Sequence, residues 1–225
     1  MAEAIVIEKY GSSEVLKYKN LDIGSPKEDE LLLRNTAIGV NYHDVYVRSG
    51  LYKTLKLPGV PGCEAAGVVE KIGASISGFK VGDRVAYITS EYGAYSSHIN
   101  INVEKVIKLP KFIGDELIAT NFLRAMTVEM LLNRITVIDE TKTILVTAAA
   151  GGVGRLLCQW ASSLGVKVIG SVSNLKKVAE TKANGCNETL VVNQIDFSKK
   201  INQFTEGRGV DVVFDSVGKD TFNSS

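Results

Sequence analysis

The segment ILVTAAAGGVGRLLCQWA, residues 144–161, places alanines and glycines between two apolar stretches. Its spacing, Ala149-x-Gly151-x-x-Gly154, follows the β-type run TILVTA and opens a segment with helical apolar spacing. Glycines in this setting let the backbone approach a pyrophosphate, which then meets the free N–H groups at the helix N-terminus. The pattern predicts a dinucleotide site; the alternative is a tight strand-to-helix turn in another α/β protein. The residues assigned to this site are Ala149, Gly151, Gly152, Val153 and Gly154.

The second group of candidate residues lies about twenty positions beyond the glycines, where NAD-binding folds usually carry an Asp or Glu for the ribose 2′-hydroxyl. That position holds Ser173 and Asn174, followed by Lys176 and Lys177 in SVSNLKK. A hydroxyl and lysines suit the extra negative charge of a 2′-phosphate. We therefore expect NADPH, with contacts from Ser173 and Lys177; the alternative is a solvated beginning of the next helix.

A third segment, GCEAAGVVEKIG, resembles the G-H-E-x-x-G signature of zinc alcohol dehydrogenases. A catalytic zinc needs three tight ligands that can be deprotonated and one open position. At the matching positions the chain has Asn41 instead of cysteine and Cys63 instead of histidine, and only Glu64 is retained. We expect no metal. His43 could meet Cys63, but a hydrogen-bonded histidine and a small buried thiol are commoner outcomes.

Composition is that of an ordinary soluble globular protein and gives no reason to expect a nucleic-acid or membrane partner. The 225 residues carry 26 basic and 25 acidic side chains, without basic clusters, so charge gives no reason to expect nucleic acid. No apolar run approaches the roughly 20 residues of a membrane helix, and no basic leader precedes one. We expect a cytoplasmic protein with three reduced thiols, at Cys63, Cys158 and Cys186.

The secondary-structure pattern differs between the first and second halves of the chain. Up to about residue 110, short β-type runs alternate with Gly, Pro and Asp turns, which predicts a small, mostly antiparallel barrel. These runs are AIVIEKY, ELLLRNTAIGV, AAGVVEKIG, DRVAYITS and AYSSHININ. From Asp115 one or two helices follow, and then four strands alternate with helices, as in a parallel sheet. The predicted strands are residues 143–148, 166–172, 188–193 and 210–217. We predict an α/β protein with domains at residues 1–125 and 126–225.

Several motifs occur in order along the whole chain, including GVNYHDVYVRSGLY, PGCEAAGVVEKIG, VGDRV, GAYSS, AAAGGVG and FDSVGKDT. Together they resemble the quinone oxidoreductases related to zeta-crystallin, in the zinc-independent branch of the medium-chain dehydrogenase/reductase superfamily. The resemblance implies a GroES-like partial β-barrel followed by a Rossmann domain, a doubly wound parallel sheet, with the active site in the cleft between them.

The resemblance also implies roles for individual residues. Asn41, Tyr46, Tyr52 and Thr127 would line the nicotinamide and substrate side of the site. Ser216 and Val217 match the turn beside the nicotinamide ribose, and a lysine matching Lys177 contacts the 2′-phosphate. Gln194 stands where the family has a tyrosine near the adenosine. His98, on a predicted strand, has no partner visible in the sequence.

Three functions compete at this point. The first is NADPH-dependent reduction of quinones or α,β-enones by direct hydride transfer, in which tyrosine hydroxyls polarise the carbonyl and supply a proton. The second is a truncated, catalytically inactive chain with at most weak NADPH binding. A non-catalytic role, in binding RNA or as a structural protein, is the third, and the neutral net charge disfavours it.

The sheet is also expected to be incomplete. A Rossmann sheet has six strands, whereas the pattern predicts four, and two further strand–helix units would need on the order of 30 residues each. The fourth strand would then be an unprotected apolar edge, prone to aggregation or pairing with another chain. We also expect the family's homodimer contact, made through the last strands of this sheet, to be impaired.

Overall fold

The structure, a computed structural model, describes residues 1–192, 197–223 and 225. Gln194, singled out above, lies outside these residues. The chain divides into two compact units, residues 1–123 and 124–225. Within the described ranges, no helix is both long enough and apolar enough to cross a membrane.

The first unit is built from antiparallel strands. Its five-stranded sheet has the order β6-β3-β4-β5-β7, and β1 and β2 form a separate pair. Apolar side chains such as Leu31, Leu33, Val69 and Val85 face one core, which also holds the ring of Tyr87. The strands are β1 (Ala2–Val6), β2 (Lys17–Leu21), β3 (Glu30–Ile38), β4 (Glu64–Ile72), β5 (Arg84–Ile88), β6 (His98–Asn102) and β7 (Val106–Lys108).

The loop between β3 and β4 contains helix α1, Tyr42–Ser49. The helix begins after Asn41, whose backbone N–H donates to Asp44 Oδ2 over 2.8 Å. It ends at Gly50, which has φ 84°, a left-handed conformation that favours glycine. This helix was not predicted from the sequence, although an Asn three residues before an Asp is a recognisable start signal.

The second unit contains a parallel sheet with the order β10-β9-β8-β11. Numbered from β8, this is the 3-2-1-4 order of the first four strands of a Rossmann sheet, so the predicted α/β class is confirmed. Helix α2 crosses the division between the units and continues into a π-helical turn, Leu131–Ile135. The elements are α2 (Asp115–Met130), β8 (Thr143–Val146), α3 (Gly152–Ser163), β9 (Lys167–Val172), α4 (Val178–Ala183), β10 (Glu188–Val191), α5 (Phe197–Phe204) and β11 (Val212–Phe214).

Both faces of this sheet are covered. One face packs Ile144, Val146 and Val168 against Leu157 and Ala161 of α3, and the other packs Leu145 and its neighbours against α5. Among the described strands, β11 is an outer strand. Aggregation, or pairing with another chain, through such an edge stays a prediction.

Candidate functional site

The turn between β8 and α3 is shaped by close backbone contacts. A Cβ atom placed on Gly154 would lie 2.5 Å from the carbonyl oxygen of Ala148, and one on Gly151 would lie 3.0 Å from the same atom. Ala148 itself has φ 47°, and its oxygen accepts from Gly151 N over 2.7 Å. Any side chain at Gly154 would therefore force the start of α3 away from the strand.

A cavity of about 270 Å³ lies beside this turn, at the carboxyl ends of the parallel strands. It brings Gly151, Ser173, Lys177 and Val217, all predicted from the sequence, into one lining. The full lining is Ala148, Ala150, Gly151, Ser171, Val172, Ser173, Lys177, Val192, Val217, Asp220 and Thr221. Parallel α/β sheets bind their ligands at this end of the strands.

The other predicted cofactor residues lie around this cavity. Ala149 is fully buried, and its backbone N–H donates to Ser171 O over 2.9 Å. Val153, Gly154 and Ser216 line a neighbouring, mostly apolar cavity of about 350 Å³. Gly152 lies under the side chain of Arg124, since a Cβ there would be 2.7 Å from Arg124 Nε.

One cation and several hydroxyl groups line the cavity. Lys177 Nζ donates to Ser173 Oγ over 3.4 Å, so the predicted hydroxyl and cation are neighbours. Ser171 is fully buried, and its Oγ has no hydrogen-bond partner among the described residues. A buried hydroxyl without a partner is costly, which indicates that a ligand or water completes the site.

Sequence reasoning missed three of the polar residues here: Arg124, Ser171 and Asp220. Arg124 lies within helix α2 and Ser171 lies within the apolar strand β9, so neither stands out as a site residue in the sequence. Only the topology shows that the cation on α2 reaches the glycine turn.

Asp215 organises the turn that follows β11. Its Oδ1 accepts from Val217 N, Gly218 N and Thr147 Oγ1 at 2.9–3.1 Å, and its Oδ2 accepts from Thr221 Oγ1 over 2.7 Å. Burial alone would raise the pKa of Asp215, but these hydrogen bonds lower it below its ordinary value. Thr147 Oγ1 in turn accepts from Ser216 N over 2.9 Å. The network ties the ends of β8 and β11 together and fixes the backbone of Ser216 and Val217.

In the first unit, Asn41 is held by a buried carboxylate. Asn41 Nδ2 donates to Glu64 Oε1 over 2.6 Å, and Leu123 N donates to Glu64 Oε2 over 2.7 Å. Glu64 is only 1% exposed. The retained glutamate therefore orients Asn41 and the backbone at Leu123.

Cys63 is buried beside two carboxylates. Burial, followed by the negative charges of Asp44 and Glu64, raises the pKa of the Cys63 thiol to about 12. Asp44 also accepts from Tyr95 Oη over 2.9 Å. The described part of the chain contains no group of three or more His, Cys, Asp or Glu side chains that could hold a metal ion.

Tyr46 and Tyr52 belong to an aromatic cluster around α1. Their rings meet edge to face at 5.4 Å between centroids, and the ring of His43 lies 5.7 Å from that of Tyr52. His43 also stacks on Tyr92 at 6.0 Å, and His43 Nε2 is 3.2 Å from Tyr92 Oη. Tyr92, which the sequence analysis did not single out, is therefore part of the cluster.

Two further predicted residues have clear positions. Thr127 is half-buried on α2, in the second unit. His98 does have partners, contrary to the sequence analysis: its Nδ1 is 2.9 Å from Ser97 Oγ, and its Nε2 is 3.4 Å from Glu70 Oε2. Glu70 comes from β4, and this pairing is visible only once the strands are aligned.

Comparison with known proteins agrees with this architecture. Residues 27–111 match the alcohol dehydrogenase GroES-like domain, and residues 152–225 match the zinc-binding dehydrogenase family. The chain is 42% identical to a quinone oxidoreductase of Pseudomonas aeruginosa over all 225 residues, and it spans 69% of that protein's length. It is 40% identical to a 2-haloacrylate reductase of a Burkholderia species, with all of this chain and 69% of that protein covered.

A solved structure extends the comparison to three dimensions. The crystal structure of Escherichia coli quinone oxidoreductase complexed with NADPH matches with a TM-score of 0.95 and 41% identity, covering 99% of this chain and 68% of that one. The GroES-like and Rossmann folds expected from the sequence are thus confirmed. The chain belongs to the quinone oxidoreductase family of the medium-chain dehydrogenase/reductase superfamily.

Proposed function

We propose that this chain reduces quinones or α,β-enones with NADPH, by direct hydride transfer and without a metal ion. The observation that carries the proposal is the cavity in which the glycine turn, Ser173 and Lys177 share one lining. A dinucleotide with a 2′-phosphate needs these three features together.

The residues present fit NADPH. The turn and the first N–H groups of α3 suit the pyrophosphate, and the Arg124 guanidinium beside Gly152 adds positive charge there. Ser173 and Lys177 suit the 2′-phosphate, and the unpartnered Ser171 hydroxyl gains a partner. The Asp220 carboxylate suits ribose hydroxyls rather than phosphates, because like charges repel. The Escherichia coli relative is complexed with NADPH, in agreement with this assignment.

When bound, NADPH supplies a hydride from its nicotinamide ring. The chain's own residues then bind and orient the substrate and provide a proton. Tyr46 and Tyr52 carry hydroxyls that can polarise a carbonyl oxygen, and their rings can stack on a flat quinone. These two roles, and those of Asn41 and Thr127, rest on the family resemblance.

The substrate class follows from what the relatives have in common. One relative is named for quinones and another for 2-haloacrylate. Quinones and acrylates both have a carbon–carbon double bond conjugated to a carbonyl group. A conjugated small molecule is therefore the proposed substrate.

Metal-free catalysis is the second part of the proposal. Zinc binds cysteine as the thiolate, whereas the raised pKa of Cys63 keeps this thiol protonated at neutral pH. Asn41, which stands where the zinc enzymes have a cysteine, is engaged by Glu64. Binding zinc at these positions would therefore cost both a hydrogen bond and a tightly held proton.

The first test compares the affinities of the two nicotinamide cofactors. Charge-assisted contacts contribute about 1.5–3 kcal/mol, so Lys177→Ala should weaken NADPH binding by roughly ten- to more than a hundredfold and leave NADH binding nearly unchanged. Lys176→Ala is the matched control, because Lys176 is the neighbouring lysine and does not line the cavity. Quenching of Trp160, the single tryptophan, can follow the titration. Equal losses for both cofactors would contradict the assignment of Lys177.

The second test measures turnover. NADPH oxidation with 9,10-phenanthrenequinone or 1,4-benzoquinone is expected to be faster than NADH oxidation at equal concentrations. NADPH binding without turnover would instead favour an inactive, NADPH-binding chain.

Impairment of the family's homodimer stays a prediction. Sedimentation of the purified chain can check it.

A further inference from the structure

We propose that Cys158 and Cys186 form a modification site, at which a peroxide oxidises the two thiols to a reversible disulfide that ties α3 to the turn before β10. Both residues are free thiols in the second unit. Cys158 lies on α3, and Cys186 lies in residues 184–187, between α4 and β10. They belong to one apolar cluster, in which Cys158 is 0% exposed and Cys186 is 5% exposed.

Two glycines allow this turn and the helix to approach each other closely. A Cβ placed on Gly185 would lie 2.6 Å from Ser162 Cβ and 3.3 Å from Cys158 O, so the backbone of the turn packs directly on α3. On β9, a Cβ placed on Gly170 would lie 2.8 Å from Cys186 Sγ. The sulfur of Cys186 therefore fills the space above Gly170, within the cluster that also contains Cys158.

The two thiols share a hydrogen bond inside this cluster. Donation from the Cys158 thiol lowers the pKa of Cys186, although burial alone would raise it. The same hydrogen bond, together with burial, raises the pKa of Cys158. The thiolate is the form of cysteine that reacts with an oxidant. Cys186, which is also the more exposed of the two, is therefore the thiol that reacts first.

Oxidation of this pair by hydrogen peroxide balances in two steps. The Cys186 thiolate attacks one peroxide oxygen, so that an S–O bond forms and the O–O bond breaks; the hydroxide that leaves takes up the proton lost by Cys186. The Cys158 sulfur then attacks the sulfur of the resulting sulfenic acid, the S–O bond breaks, and the Cys158 proton leaves with that oxygen as a second water. The two thiols lose two electrons in total, and the peroxide gains them.

Cys63 provides an internal control for this chemistry. It is the single cysteine of the first unit, so that unit offers it no second thiol. Burial and two neighbouring carboxylates raise its pKa to about 12. Because its thiolate forms so rarely, Cys63 should be oxidised at least about tenfold more slowly than the pair.

The test is a peptide map of the wild-type chain after mild oxidation in its folded form. Reduced protein is treated with hydrogen peroxide at neutral pH, the remaining thiols are blocked with iodoacetamide in denaturant, and the chain is digested with trypsin. Residues 156–167, which contain Cys158, and residues 183–199, which contain Cys186, should appear as one linked pair that dithiothreitol separates. The peptide that contains Cys63 should carry the iodoacetamide label.

Three variants assign the role of each thiol. Cys63→Ala is the matched control and should form the same linked pair at the wild-type rate. Cys158→Ala removes the thiol that resolves the sulfenic acid, so Cys186 should stop at that stage and react with dimedone. Cys186→Ala removes the thiol that reacts first, so Cys158 should stay reduced. Circular dichroism checks the fold of each variant, and the wild-type peptide map carries the test without them.

The disulfide should also stabilise the second unit. It closes a loop of about 30 residues, which lowers the entropy of the unfolded chain. Trp160 lies on α3, so its fluorescence can follow the denaturation of oxidised and reduced protein in urea. Oxidation should move the midpoint to higher urea in the wild-type chain and in Cys63→Ala, and dithiothreitol should reverse the shift. Cys158→Ala should show no shift.

The possible failures can be distinguished. A folded chain in which the pair stays unlinked, or in which Cys63 is oxidised as fast as the pair, would overturn the proposal. Linkage between chains instead of within one chain, visible by electrophoresis without reductant, would also overturn it. A linked pair with an unchanged urea midpoint would overturn the stabilising effect alone. Since none of these measurements uses NADPH or a quinone, each outcome leaves the proposed function as it stands.

Discussion

The proposed cofactor cavity and the tyrosine cluster of the first unit are built in different ways. The cavity depends on backbone geometry: a turn in which Gly154 allows no side chain, followed by residues at the ends of consecutive strands. The cluster depends on side chains from separate loops, with His43 on α1 meeting Tyr92 from the loop between β5 and β6. Backbone requirements restrict residue types locally, whereas side-chain contacts depend on how distant loops fold. The first kind of site can therefore be predicted from sequence far better than the second.

The largest expected effect tests whether the glycine turn tolerates a side chain. Gly154→Ala puts a Cβ 2.5 Å from a backbone oxygen, which cannot move without shifting the strand. We expect a loss of about 3 kcal/mol of unfolding free energy, together with loss of NADPH binding. Fluorescence of Trp160, which lies on α3, follows the second unit during denaturation. Gly114→Ala is the control, since no atom lies within 4 Å of its added Cβ; a fully stable Gly154→Ala protein would contradict the close approach.

The next effect tests the side-chain construction of the first unit. Glu64→Ala removes the acceptor of two donors, Asn41 Nδ2 and Leu123 N. Because hydrogen bonds to a charged group contribute about 1.5–3 kcal/mol, we expect Glu64→Ala to lower the unfolding free energy by about 2 kcal/mol. Circular dichroism during urea denaturation measures it.

Glu64→Gln provides the matched control for that change. The glutamine oxygen can keep the bond from Leu123 N, and the amide of Asn41 can turn so that its oxygen accepts from the glutamine NH₂. This variant should therefore lose less than half as much stability as Glu64→Ala. Equal losses would show that the charge of Glu64, rather than its hydrogen bonds, stabilises this part of the fold.

The sequence predicted the parallel strands and the glycine turn because each has a strong local signature. The apolar runs at 143–148 and 166–172 became β8 and β9, both shorter than predicted. It missed β2, whose residues KYKNL are mostly polar and partly exposed, and β7, which has only three residues. It also missed α1, because polar and aromatic residues mix along YHDVYVRS without a clear apolar stripe. Exposed or short elements carry little hydrophobic signal, so the sequence pattern alone does not reveal them.

A smaller effect concerns the turn after β11 and depends on pH. Because the folded state lowers the pKa of Asp215, its carboxylate stabilises the fold at neutral pH, and this contribution is lost as the pH falls from the ordinary carboxylate value through the lowered one. Asp215→Asn should cost about 1 kcal/mol at pH 7, because the site is partly exposed. The difference from wild type should shrink toward zero in acid. Urea denaturation at pH 7 and below measures it, with the exposed Asp220→Asn as control; a difference that stays constant with pH would mean that the amide loses packing rather than charge.

The smallest expected effect is that of a chelator, which should change nothing. Asn41 donates to Glu64 over 2.6 Å, so zinc binding at Asn41 would break this hydrogen bond. The pKa of the Cys63 thiol is raised, so zinc binding at Cys63 would have to remove a tightly held proton. Elemental analysis of purified protein should find far less than one zinc per chain, and dialysis against EDTA should leave both NADPH binding and quinone reduction at their starting values. Cys63→Ser is a useful companion, because it removes the thiolate that zinc would need but keeps a small polar side chain. About one zinc per chain that survives dialysis and disappears in Cys63→Ser would show that the first unit holds a metal after all, and would move the proposed chemistry toward that of the zinc alcohol dehydrogenases.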